Sequence, residues 1–251
     1  MLQAKVREQV EVVGLPNVLI DIVMNCLGRH TNFQQSDLRG MNFHGADLSD
    51  MDFCAANMER VNLSRCTLKN SMMFYVNARG ADFSGADLTQ SNFKIARCSG
   101  ANFRGATITR INFVEAELTN ANLSLVIQEP SITRGNCIAD FNKADLSGSD
   151  LSHADLSGAN MTNCVARKTK CVETILQNAS MDHADFAGSY FYRALLNFAK
   201  LFMTNMSEAR IIEVKFNNAH VFRSDFRSSI IIKSHMFDTG LDEPNLSDAY
   251  L

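Results

Sequence analysis

Aspartate is the first residue in this chain whose pattern suggests chemistry. Asp37, Asp47, Asp82 and Asp87, and later Asp145, Asp155 and Asp185, each stand one place before an apolar residue, in steps of five within each stretch. Carboxylates brought together at fixed separation can work as a general acid and base. The same regularity has a plainer source, because a repeat that places one outward residue every five positions brings carboxylates together without any catalytic demand. Seven cysteines, an odd number, follow no metal-binding spacing. Cys164 and Cys171 are seven apart with no His between them, and the six His are scattered. No G-x-x-x-x-G-K-[ST], G-x-S-x-G or H-E-x-x-H motif occurs. The expectation is therefore no enzyme, no cofactor and no metal site.

The elements that would position these residues follow from a period of five. From Phe33 to Leu123, stepping by five, all 19 residues are apolar, and from Phe141 to Leu251 all 23 are. With 46% hydrophobic residues overall, so unbroken a series has a chance probability of about 10 to the power −14. Two places before these centres the residue is small except at Met41, Met51, Ile111 and Pro244, and Ala fills 20 of the 42 positions. Cys66, Cys98, Cys164 and Cys171 fall in inward slots, where a thiol acts as a small hydrophobe. Five matches neither a helix nor one long strand. It matches a chain that turns a corner every fifth residue, with one large and one small side chain inward on each side.

Segments such as Ala144-Asp145-Leu146-Ser147-Gly148 and Ala154-Asp155-Leu156-Ser157-Gly158 carry the whole unit. The chain resembles the pentapeptide-repeat family, A-(D/N)-L-x-x, over about 220 residues. The resemblance implies an all-β solenoid, a right-handed four-sided parallel β-helix with four units per coil. Sorting the first-run centres by steps of 20 supports four sides independently: Phe33, Phe53, Phe93 and Phe113 fall on one side and Phe43, Phe83 and Phe103 on the opposite one. About ten coils at a strand spacing of ~4.8 Å give a rod roughly 50 Å tall.

The sequence divides into residues 1–30, 31–125, 126–138 and 139–251. In the first segment Leu2, Val6, Val10 and Val13 recur at helical spacing, Gly14 stops them, and Pro16 suits a second start. A short α-helical cap over the first coil is expected, with a membrane-surface helix as the alternative. Between Leu123 and Phe141 lie 18 steps, so the register slips once, through an outward loop or an irregular coil. Leu251 is itself an in-register centre. That leaves end-to-end pairing of two chains, continuation of a longer protein, or fraying of the last coil. The resemblance implies homodimerisation through the C-terminal coils, a property of some members.

Charge narrows the function classes. Lys plus Arg is 24 against 27 Asp plus Glu, which argues against direct nucleic-acid binding. No apolar run is long enough for a membrane span. With no readable signal peptide, a cytoplasmic setting is expected, the alternative being export into a host cell by a specialised secretion system. Outward positions are the informative ones, because the repeat does not dictate them. In the second run one side carries Val172, Tyr190, Tyr192, Ile212, Ile230, Ile232 and Tyr250, stacked at steps of 20, and the opposite side carries Phe202, Met203 and Phe222. Exposed apolar patches mark partner surfaces, whereas strand-formers tolerated on a solvated face are the alternative. Arg167, Lys168 and Lys170 read as a solvated mixed face with Asp145, Asp185 and Asp225. The expected function is a non-enzymatic protein–protein interaction scaffold, for which some secreted bacterial effectors of the family are a precedent. The alternative is a DNA-mimicking, topoisomerase-binding protein of the quinolone-resistance type.

Overall fold

A computed structural model describes residues 32–128 and 139–251. Within them the chain winds as a parallel β-solenoid in which each residue before a centre pairs with its counterpart 20 positions on, as in Asn32 with Asp52, Asp37 with Asn57, Asn42 with Asn62 and Asp47 with Thr67. Those four ladders are the four sides. The centres and their small partners point inward, and from Phe53 to Phe226 the inward centres that are apolar are essentially removed from water. The expected cap over 1–30 lies outside the described residues, which themselves contain no helix.

Two features of the five-residue unit make the corner. The residue two places after each centre takes a left-handed conformation, with φ of 56° at Gln35, 57° at Arg60 and 58° at His153. Gly148 takes φ +71°, and there an added Cβ would run into the Asn120 side chain. The second feature is the Asp or Asn before the centre. Its Oδ1 accepts the backbone N–H two residues on, as from Ser84 to Asp82 at 2.9 Å, Val114 to Asn112 at 2.9 Å and Ser147 to Asp145 at 2.9 Å. The side chain thus mimics a backbone turn. These carboxylates are occupied in building corners.

The core fills because rings alternate in orientation. Phe on one side stack coil upon coil: Phe83 on Phe103 at 4.9 Å and Phe33 on Phe53 at 5.2 Å. Rings from opposed sides meet edge to face, Phe83 with Phe93 at 5.5 Å and Phe103 with Phe113 at 5.4 Å. Both arrangements suit the quadrupole of an aromatic ring.

The interruption does not shift the sides. Asn112 pairs with Asp140, Glu117 with Asp145 and Asn122 with Asp150, a step of 28 in place of 20, and Phe113 stacks on Phe141 at 5.4 Å. The paired positions are eight residues further apart in sequence than elsewhere, and beyond Ala139 the 20-residue register resumes. Gln128 occupies the inward centre where the chain departs. Its Oε1 accepts the Ala139 N–H at 2.7 Å, and its Nε2 donates to the carbonyls of Asp155 and Ser157 at 3.3 Å.

The coils are not equal, as a uniform stack of about ten would be. Most pair through single bridges. Among the described residues, continuous strands appear only late: β1 (Lys170–Val172), β2 (Tyr190–Tyr192), β3 (Lys200–Phe202), β4 (Arg210–Ile212), β5 (His220–Phe222), β6 (Ile230–Ile232) and β7 (Gly240–Asp242). They form two separate parallel sheets, β1-β2-β4-β6 over four levels and β3-β5-β7 over three. In all seven, the Asp or Asn that tightens the corner is replaced, by Lys, Tyr, Arg, His, Ile or Gly. Replacement alone does not make a strand, because Met72, Arg97, Ile175 and Leu195 also lack the acceptor and pair through single bridges; those four corners keep a backbone bond from the third residue after the centre to the centre's carbonyl, and the seven do not. Several of the replacements are strand-formers. At three of these looser corners a buried hydroxyl caps a carbonyl of the preceding coil: Thr174 donates to Leu151, Thr204 to Met181 and Ser224 to Leu201.

Candidate functional site

The outward residues singled out by sequence fall on two faces, and the structure keeps them apart. Val172, Tyr190, Tyr192, Ile212, Ile230 and Ile232 belong to the sheet β1-β2-β4-β6, and Tyr250 extends it by pairing with Ile230. Phe202 and Phe222 belong to the other sheet, β3-β5-β7. Two aromatic surfaces therefore exist where one partner footprint would need a single one.

On the four-stranded face, Val172, Tyr192, Ile212 and Ile232 are in register as one column, and Tyr190 and Ile230 stand in the other beside Lys170 and Arg210. The Tyr190 and Tyr192 rings lie parallel, 6.4 Å apart, on either side of β2. Each of these apolar side chains is half-buried by its neighbours, whereas Tyr250 is 67% exposed. The column beside Tyr192 is charged and alternates in sign up the corner. His153 Nδ1 lies 3.3 Å from Glu173, Glu173 lies 4.0 Å from Arg193, and Arg193 Nε donates to Glu213 at 2.8 Å. That bond, before any other influence, holds the Glu213 carboxyl below the usual carboxylate range. The Arg193 guanidinium also sits 4.8 Å from the centre of the Tyr192 ring and so braces the edge of the face.

The opposite face is narrower. Phe202 stacks on Phe222 at 5.2 Å, His183 meets Phe202 edge-on, and Arg223 lies 5.0 Å from the Phe222 ring while bonding Glu243. The basic cluster is a mixed face, with Arg167 Nε 2.6 Å from Asp185 and Lys170 3.3 Å from Asp150. Cys66, Cys98, Cys164 and Cys171 are buried in inward slots. Burial pushes the Cys66 thiol up to about 11 and Cys171 up to about 12, and drives Cys98 and Cys164 higher still. Among the described residues no three His, Cys, Asp or Glu side chains converge as a metal site would require, and no helix is long and apolar enough to cross a membrane.

The family model described as pentapeptide repeats matches in eight copies, over residues 31–70, 55–90, 76–94, 96–125 and 139–165. The chain belongs to the pentapeptide-repeat family. No match is found among curated proteins. Among solved structures, the chain is similar to HetL, a pentapeptide-repeat protein involved in heterocyst differentiation regulation from the cyanobacterium Nostoc sp. strain PCC 7120. The identity is 19%, with 94% of this chain and 96% of that one covered, at a TM-score of 0.42. It is also similar to trypsin-treated QnrB1, a plasmid-mediated fluoroquinolone resistance protein, at 17% identity, 88% and 89% coverage and a TM-score of 0.40. For Rfr23, a pentapeptide-repeat protein from the cyanobacterium Cyanothece 51142, the figures are 17%, 64% and 93%, and 0.20.

The family matches end at residue 165, before the first continuous strand at Lys170. The repeat thus departs from its consensus over the same stretch that builds the aromatic faces. Sequence reasoning overlooked Gln128 and the charged column of Glu173, Arg193, Glu213 and Lys233. A polar residue at a centre position is the available signal for the first, and the 20-residue recurrence of charge is the signal for the second.

Proposed function

We propose that this pentapeptide-repeat protein is a non-enzymatic scaffold that docks a protein partner through the four-stranded face of its second half. The observation that carries this reading is the in-register column Val172, Tyr192, Ile212 and Ile232 beside Tyr190 and Ile230. On the first run the equivalent positions hold Asn, Asp, Ser, Arg and His, whose side chains form turns or face water. A flat, rigid, apolar strip with a charged rim has the anatomy of a protein interface. The core alone does not call for it, because the same corners are built elsewhere with Asp and Asn.

Duplex mimicry is the weaker reading. It calls for acidic groups free to replace phosphates, and here many acidic side chains are matched on the rod's own surface. Asp37 pairs with Arg39, Asp87 with Lys69, Glu117 with Arg79, Asp185 with Arg167 and Asp225 with Arg227.

The test replaces Tyr192, Ile212 and Ile232 together by Ser and compares proteins captured from native lysate with those captured by a control carrying Ser at Lys94, Val114 and Asn142. Loss of a specific band by the face variant alone, with both variants melting as folded rods, supports the reading. Equal capture by both refutes it.

A further inference from the structure

Immediately around the corner from Tyr192 and Ile212, a groove of about 410 Å³ opens between two columns, lined by Arg193, Glu213 and Lys233 on one side and Leu195, Lys215 and His235 on the other. The two columns span three successive coils, since Arg193–Glu213–Lys233 and Leu195–Lys215–His235 each advance by 20 residues. Three fixed cations and an imidazole thus surround one carboxylate, in a chain whose overall formal charge is −3. That carboxylate, Glu213, is engaged by Arg193. Leu195 is the groove's one apolar residue.

We infer that this corner groove binds a carboxylate side chain of the partner that covers the adjacent face, so that the docked surface is an amphipathic acidic segment, aliphatic or aromatic residues followed by Asp or Glu. The inference rests on the proposed docking face and adds the partner's chemistry to it. Continuity is the first argument. Tyr192 and Arg193 are consecutive, as are Ile212 and Glu213, and Ile232 and Lys233, so a chain lying across the apolar column runs directly over the groove. Charge is the second. Lys215 and Lys233 are both exposed, and their ammonium groups are point charges without the planar fork that suits bidentate phosphate recognition. Openness is the third. A groove walled by long mobile side chains holds a free small anion weakly, and becomes selective only when neighbouring apolar burial anchors the rest of the ligand.

The experiment uses the full chain and fluorescent peptides of about twelve residues. One carries an aliphatic–aromatic pattern interleaved with Glu, a second the same pattern with Lys, a third the same pattern with Gln, and a fourth carries Glu with Ser in place of the apolar residues. The acidic apolar peptide is expected to bind at least about tenfold more tightly than the Lys and Gln versions, more weakly as salt rises. Lys215→Glu with Lys233→Glu is expected to reverse that preference toward the Lys peptide. Equal binding of all three apolar peptides overturns the groove and leaves the face standing. Equal binding of the acidic peptides with and without apolar residues overturns the face and leaves the groove. No binding by any peptide overturns both. A phosphoserine-for-Glu peptide that binds far more tightly than its parent overturns the carboxylate assignment in favour of phosphate.

Discussion

Replacing Gln128 by Leu would restore the apolar centre that every other unit carries, and the structure predicts that this consensus change destabilises the rod. Gln128 is half-buried, and Ala139, whose N–H it accepts at 2.7 Å, is fully buried. Leu removes that acceptor. A buried N–H without a partner costs about 1–3 kcal/mol. Loss of the two longer bonds, from Nε2 to the Asp155 and Ser157 carbonyls at 3.3 Å, adds at most about 0.5 kcal/mol each. Against this, burying a leucine in a half-accessible slot gains about 1 kcal/mol. The unsatisfied donor wins, leaving Gln128→Leu about 1–2 kcal/mol less stable. Gln128→Ala, which forgoes the apolar gain and leaves space, falls by about 2–3 kcal/mol. Urea unfolding followed by circular dichroism measures the totals, and hydrogen exchange at the Ala139 amide reads the bond itself. A Gln128→Leu rod more stable than the parent, with Ala139 still protected, would refute the reasoning.

Corner carboxylates acting as acceptors predict that Asp82→Asn changes stability by less than about 0.5 kcal/mol, whereas Asp82→Ala costs about 1 kcal/mol, read from the same urea curves. The buried thiols of Cys98, Cys164 and Cys171 should resist iodoacetamide at pH 8 until the chain unfolds, as mapped by mass spectrometry; labelling of the native rod at these sites would count against their inward placement. Glu117 is held below the usual carboxylate range first by the Ser99 hydroxyl and also by Arg79. A depressed folded value stabilises above the unfolded one and is lost as pH falls through it. The urea midpoint should therefore drop below about pH 4.5, less so in Ser99→Ala; an unchanged acid profile in that variant would contradict the assignment.

Much of the fold was legible because one constraint, a filled square interior, acts identically at every fifth residue. Phe33 through Leu123 and Ala46 through Ala121 announce it by type alone. The Asp and Asn before each centre were read correctly as products of the repeat, though not as hydrogen-bond acceptors of the corner. What stayed hidden depends on context. Gln128 looks like the first residue of a loop until the coil is seen to close through Ala139. Lys170, Tyr190, Arg210 and Ile230 look like decoration, yet they stand at the corners where single bridges give way to strands. The two aromatic faces were separable in sequence by counting in tens, whereas the cationic groove needed three coils and two columns to be placed side by side.

Photo-crosslinking addresses the docking claim most directly. A benzophenone amino acid placed singly at Tyr192, Ile212, Phe202 and Asn142 samples the four-stranded face, the opposite sheet and a coil of the second run that precedes the strands, in otherwise native protein. Adducts to one common partner from Tyr192 and Ile212, absent from Asn142 and Phe202, are the predicted result. Adducts confined to Phe202, or spread evenly over all four positions, would contradict the account.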